Sequence, residues 1–246
     1  MEAALVRERY KLVRVLRRED HYVCAEAVDI LDREKRSCLL NLYDGPLLRT
    51  YLPCFDRLER FPACRGALLD GERLVTVFDL PEGTPAEQAF HRRDRRSWRE
   101  RLDYAALLME QVLNLADVDP AVSCPALLPE NVLVDERAGR VRLRFAAAPM
   151  EDASDRTAAR LAAAALKTIL PRRFSSPAEE LDLLEELDRD DCGTVVQLYA
   201  LWRRYESALR DGYEALERQN ALRRWISLVR LRVRRALRRK KEVNNW

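Results

Sequence analysis

Between Leu222 and Lys241 the chain carries ten basic residues and no acidic one. Leu222, Trp225, Ile226, Val229, Val233, Ala236 and Leu237 recur three and four residues apart, which gathers them into one arc of about 120° on a helix. Arg223, Arg224, Arg230, Arg232, Arg234, Arg235, Arg238 and Arg239 take the other arc, and Lys240 and Lys241 extend the charge. The chemistry of such a helix is the recognition of negative charge. An anionic membrane fits, with apolar side chains in the acyl boundary and arginines at the headgroups. An acidic protein surface fits equally, within this chain or on a partner. Nucleic acid fits less well: the arginines suit phosphates, but no aromatic platform or reading motif accompanies them. Ala178 to Asp191, with eight acids and one arginine, is an internal acidic counterpart that also reads as a solvated helix face.

Elsewhere the residue types rule out more than they offer. Six cysteines (Cys24, Cys38, Cys54, Cys64, Cys124, Cys192) lack CxxC spacing, and the two histidines, His21 and His91, lie far apart. No zinc site of ordinary spacing is expected, and the cysteines read as reduced, mostly buried residues of a cytosolic protein. The histidines read as surface or turn residues. No GxSxG, HExxH or Walker-type loop occurs. No stretch approaches the roughly 20 uncharged apolar residues that span a bilayer, and the charged N-terminus does not read as a secretory signal. Hydrophobic residues at 48% and charged residues at 35% describe a soluble globular chain and exclude disorder and collagen. At 246 residues there is room for one large domain or two small ones. The net charge of +3 hides an asymmetry, because without the basic segment 34 basic residues face 41 acidic ones. The body is acidic and the tail strongly basic.

The elements behind these residues change character along the chain. Tyr10 to Leu16, Tyr22 to Leu31 and Ser37 to Tyr43 alternate or are leucine-rich, and charged turns separate them, so three strands are expected. A helix follows from Leu47 to Phe61, bent or split by Pro53. Cys64 to Asp70 and Arg73 to Leu80 read as two more strands around the Asp70-Gly71 turn. The rest is mainly helical. Helix starts are expected at Thr84-Pro85-Ala86-Glu87, Ser97-Trp98-Arg99-Glu100 and Ser176-Pro177-Ala178-Glu179, each with a capping residue and an acid three positions on. A long helix over Ser97 to Ala116 precedes two short strands, Asn131 to Asp135 and Arg140 to Phe145. Helices resume at Thr157 to Leu170, Ala178 to Leu187 and from Thr194 on.

The run PENVLVDERAGRVRLRF resembles the catalytic-loop region of the eukaryotic-type protein kinases, where a loop ending in K-P-E-N enters a strand, a turn and a second strand carrying D-F-G. The five strands with a helix after the third resemble the kinase N-lobe, FDLPEGTPAEQ the hinge, and Ser97 to Ala116 the helix before the catalytic loop. The resemblance spans about residues 8 to 210 and implies a two-lobed fold. It also permits an audit of the chemistry. Where a glycine-rich loop is implied, the chain has LRREDHY, with no glycine and two acids. Where the phosphate-pairing lysine is implied it has Asn41, although Glu59 can take the partner position on the following helix. H-R-D-L-K-P-E-N is matched by Cys124-Pro125-Ala126-Leu127-Leu128-Pro129-Glu130-Asn131, so Ala126 replaces the base and Leu128 the lysine. D-F-G falls at Arg144-Phe145-Ala146 or one residue later, without a carboxylate. Only Asn131 survives, and a lone asparagine makes a poor magnesium site, so it is expected to hydrogen-bond its own loop. Leu127, Leu128, Phe145 and Ala146 suggest a cleft partly filled by side chains.

With no phosphate cradle and no metal carboxylate, phosphoryl transfer is not expected. The resulting expectation is an α+β, two-lobed kinase-like chain: a five-stranded N-lobe over 1–80, a shortened helical C-lobe over 81–215, and a basic amphipathic helix over 216–246. It is expected to act without catalysis, cofactor, metal or small-molecule substrate. The function expected is that of a cytoplasmic pseudokinase scaffold or regulatory module for a protein partner. Trp225, Ile226, Val229, Val233 and Leu237, with Arg223, Arg224, Arg230, Arg234, Arg235, Arg238, Arg239, Lys240 and Lys241, are the expected membrane or partner contacts. The alternatives are a nucleic-acid adaptor and a residual nucleotide sensor.

Overall fold

The computed structural model describes residues 5–55, 63–91 and 94–243; Glu59 and the end of the first expected helix lie outside them. The N-terminal lobe is an antiparallel sheet of β1 (Leu5–Val6), β2 (Tyr10–Glu19), β3 (Tyr22–Asp29), β4 (Ser37–Tyr43), β5 (Cys64–Asp70) and β6 (Arg73–Asp79). The strand order is β1-β2-β3-β4-β6-β5. The sheet holds six strands where five were expected, because the two-residue β1 pairs with β2 at the edge. Arg9 in the β1–β2 turn donates to the buried Asp29 carboxylate (2.8 Å), which holds that carboxyl below its usual range.

β4 is central and buried on both faces, and its period of two decides what each face does. Cys38, Leu40 and Leu42 join Val6, Tyr10, Ala27, Val75 and Val77 in an outer core. Leu39, Tyr43 and, between them, Asn41 point to the other face, toward the helical lobe, where Leu39 and Tyr43 join the main core. After β4 come α1 (Gly45–Tyr51) and a single 3-10 turn at Pro53–Phe55, the split expected from Pro53.

The connection to the helical lobe is tight. Gly83 has φ +150°, and a Cβ there would meet the Val134 carbonyl oxygen at 3.0 Å, so glycine lets β7 (Thr84–Pro85) pair with β8 (Val132–Asp135). β9 (Arg140–Leu143) completes this small sheet. Thr84 is therefore a strand residue, and α2 (Ala86–Ala89) starts without a side-chain cap. The expected box at Ser97 and Glu100 is in place and opens α3 (Trp98–Leu113). A short helix, α4 (Pro120–Ala126), was not anticipated; Asp119 caps it by accepting from Ala121 N at 2.9 Å. α5 (Asp155–Ile169) buries Ala158, Ala159, Ala162, Ala163 and Ala165, and these small side chains admit α3, α4 and α7 (Val195–Glu217) at close range. α6 (Ala178–Arg189) begins after Pro177, and the Ser176 hydroxyl bonds Glu180 instead of capping the helix. α8 (Ala221–Val243) is separated from α7 by a break at which the Asn220 side chain accepts from Arg223 N (2.9 Å).

Candidate functional site: the cleft between the lobes

Asn41 is fully buried, and its amide is saturated with hydrogen bonds. Nδ2 donates to the Phe145 carbonyl (2.9 Å) and, at 3.4 Å, to Thr76 Oγ1. Oδ1 accepts from the Tyr22 hydroxyl (2.8 Å) and from Ala147 N (3.0 Å). An amide offers two donors and two acceptor sites, and all four are used here. Tyr43, two residues on along the same face, donates its hydroxyl to the Ala147 carbonyl (2.8 Å). Burial pushes the Tyr22 and Tyr43 phenols well above the usual range, so both stay protonated donors.

The segment after β9 is thereby sewn to β4. Phe145 is buried and stacks on Phe78 of β6, with ring centroids 5.0 Å apart and planes 10° apart. Ala147 and Ala148 are buried beside it. Side chains occupy the cleft wall: Ala126 and Leu127 are buried, and Leu128 is half-buried. The buried Asn131 donates Nδ2 to the Pro125 carbonyl (2.8 Å) and its own carbonyl accepts from Arg144 N (2.9 Å). Its amide holds the loop that follows α4. Arg144 donates to the Glu130 carbonyl and has a buried Nε with no hydrogen bond. Among the described residues no group of three His, Cys, Asp or Glu side chains is placed to hold a metal ion.

The β2–β3 turn, where the kinase resemblance implies a glycine-rich loop, is pinned instead. His21 has φ +62°, and its Nδ1 lies 2.7 Å from Asp44 Oδ1. Gly45 passes under its ring, where a Cβ would stand 2.8 Å from Nδ1. Sequence reasoning picked out Asn41 and Phe145 but missed Tyr22, Tyr43, Thr76 and Ala147. The only available signal was that Tyr43 and Asn41 share a face of one strand.

The basic helix is arranged differently from expectation. Its docked face is not its apolar arc. Leu228, outside that arc, is buried, and Arg232 and Arg235 flank it. Arg235 pairs with Asp182 and Glu185 (3.0 Å) and donates to the Ala178 carbonyl (3.0 Å); Arg232 donates to the Arg173 carbonyl and lies over the Phe174 ring. Part of the acidic run on α6 is thus the seat of α8, and Arg235 is engaged inside the chain. Trp225, Val233 and Leu237 remain 57%, 52% and 56% exposed, while Ile226 and Val229 are half-buried. Arg223, Arg224 and Arg230 are exposed. The side chains of Arg234, Arg238, Arg239, Lys240 and Lys241 lie outside the described residues.

No protein-family model matches the chain, and no curated protein matches it by sequence. Solved structures do match by shape. The kinase domain of PknI from Mycobacterium tuberculosis, in a double-mutant form, is 14% identical, with a TM-score of 0.52 over 87% of this chain and 98% of that one. Rad53 in complex with AMP-PNP is 9% identical, with a TM-score of 0.54 over 79% of this chain and 65% of that one. The fold is therefore protein-kinase-like. At these identities the likeness carries the fold alone.

Proposed function

We propose that the chain is a non-catalytic kinase-like module, a pseudokinase that works as a scaffold or regulatory interaction partner. The observation that carries this reading is Asn41. At the position the resemblance assigns to a phosphate-pairing lysine, a neutral amide binds the backbone of the segment that the resemblance assigns to D-F-G. Phosphoryl transfer needs a cation paired with the phosphates and a metal carboxylate; at these positions the chain has the Asn41 amide and Arg144-Phe145-Ala146, which carries no carboxylate. The test combines a radiolabelled phosphate-transfer assay with thermal unfolding in ATP, with and without magnesium. The reading expects no label above background and no shift of the unfolding midpoint; magnesium-dependent labelling lost on mutation of the cleft would overturn it.

The seat of the module, in this proposal, is the cytoplasmic face of an anionic membrane. The exposed stripe of α8 supports it. At about 100° per residue the stripe points about 120° away from the docked Leu228 face, so the helix can rest on the protein and present Trp225, Val233 and Leu237 outward. Each basic residue near an anionic surface contributes about 1 kcal/mol. Co-sedimentation with anionic and neutral vesicles, comparing the whole chain with one ending at Asn220, tests it. Binding to anionic vesicles alone, lost on truncation, is expected. Binding by neither form would remove the membrane and leave a protein partner for the stripe.

A further inference from the structure

A cavity of about 510 Å³ opens where the start of α3, the α5–α6 connection and the break between α7 and α8 meet. That volume lies within the ~300–1,000 Å³ of small-molecule sites. Four arginines line it: Arg96, Arg101, Arg173 and Arg224. Arg96 and Arg101 are fixed by Asp94, and Arg101 also donates to the Ile169 carbonyl (2.6 Å). Arg101 is 3% exposed, yet its Nε is a buried donor with no hydrogen bond. Such a group costs free energy unless something accepts from it. Arg173 and Arg224 form no ion pair among the described residues. The two carboxylates of the lining are already engaged. Glu217 accepts from Trp98 Nε1 (2.6 Å) and pairs with Arg99 (2.7 Å), while the buried Glu180 accepts from the Ser176 hydroxyl (2.6 Å) and from that of Tyr213. Burial raises the Glu180 carboxyl above its ordinary range, and both its oxygens already accept hydrogen bonds.

We propose that this cavity is a binding site for a phosphomonoester-bearing anion, with Arg173 and Arg224 as its free cations and Arg101 as the positive wall behind them. Guanidinium forks match phosphate oxygens in shape and charge. Trp98, stacked on Tyr213 and overlain by Arg99, and Trp225 border the space. Such a group belongs either to a soluble sugar or inositol phosphate or to the headgroup of a phosphorylated lipid. Ala221, Arg224, Trp225 and Leu228 of α8 line it, so the site needs α8 docked on the body of the chain, but it does not need a membrane.

The test is titration of the full chain with inositol 1,4,5-trisphosphate, followed by tryptophan fluorescence and calorimetry, with uncharged inositol as control. Saturable one-to-one binding is expected. Arg173→Ala with Arg224→Ala is expected to weaken it about tenfold or more. Arg223→Ala with Arg230→Ala removes the same charge from exposed positions that do not line the cavity, and is expected to leave it within about twofold. Thermal unfolding verifies that each variant is folded, and Arg173→Lys with Arg224→Lys recovers part of the affinity if one variant is not. No saturable binding, or equal weakening by the two alanine pairs, overturns the proposal. The source is read with vesicles of equal charge containing phosphatidylinositol 4,5-bisphosphate or phosphatidylserine. A preference for the former that R173A/R224A abolishes assigns a lipid headgroup; no preference, with soluble binding intact, assigns a free phosphate. Vesicle binding that R173A/R224A leaves intact and truncation at Asn220 removes would separate the membrane reading from this one.

Discussion

Asn41 and Phe145 stand 104 residues apart in the chain and are joined by a 2.9 Å hydrogen bond from side-chain amide to main-chain carbonyl. With Ala147 N returning a bond to the same amide, one residue of β4 fixes the segment after β9. Asn41→Leu keeps the size and removes the polarity. It takes one hydrogen-bond partner each from the Phe145 carbonyl, Ala147 N and the Tyr22 hydroxyl, at about 1–3 kcal/mol for a buried group left unsatisfied. Chemical denaturation is expected to show a loss of about 3 kcal/mol or more. Tyr22→Phe in the same background is expected to cost less than it does alone, because the partner it would have lost is already gone.

Restoring a catalytic aspartate is expected to harm the protein before it helps it. Ala126 is fully buried at the end of α4, next to Leu127. A carboxylate there loses its hydration. Ala126→Asp is expected to lower the unfolding midpoint by several degrees and to yield no phosphate transfer, with or without Asn41→Lys. A radiolabel assay on the folded fraction checks both halves.

Glu180 makes stability depend on pH in a particular direction. Burial raises its carboxyl above the ordinary value of 4.5. The folded state therefore holds a proton that the unfolded chain releases, so this contribution is full below pH 4.5 and is lost as pH rises through the folded value. Glu180→Gln keeps acceptor and size without the charge. The variant is expected to show a flatter stability profile than the parent between pH 4.5 and the folded value, in denaturation curves taken at several pH values.

Detaching α8 is expected to be a local event. Arg235 bridges Asp182 and Glu185 of α6, and Leu228 is the apolar anchor beside it. Arg235→Glu sets like charges against each other there. Amide exchange is expected to accelerate across 221–243 and to stay slow in α3 and α5, whose contacts are elsewhere. A uniform acceleration in all helices would contradict the independence of this contact.

The parts of the fold that follow from local rules were legible in the sequence. Ser37 to Tyr43 reads as a strand because it is apolar and bounded by charged turns, and β4 has those bounds. Ser97 and Glu100 form the box they spell. The same spelling at Ser176 misleads because the Ser176 hydroxyl has a stronger competitor in the buried Glu180, a tertiary partner invisible in a local window. α4 was hidden by its two prolines: Pro120 sits at the first turn, and Pro125 falls near the end, where a seven-residue helix tolerates it. The missing charges of the cleft could be read directly, since absence of a residue type needs no geometry. The bonds that replace them could not, because they depend on which β4 residues face the other lobe. In α8 the apolar arc was legible, but the docked face was not: it packs through Leu228 and the stems of Arg232 and Arg235, and hydrophobic periodicity gives arginine stems no weight.

The main core runs without interruption from Tyr22, Leu39 and Phe78 of the sheet to Leu102, Leu166 and Trp202 of the helices. Two-lobed proteins commonly signal by swinging about their connection. Here β4 is bonded to the far side of that connection by Asn41 and Tyr43, and Gly83 keeps the connection itself in contact with β8. A swing about that connection would first have to break these bonds, so the spacing between the sheet and the helices is set by the same side chains that fill the cleft.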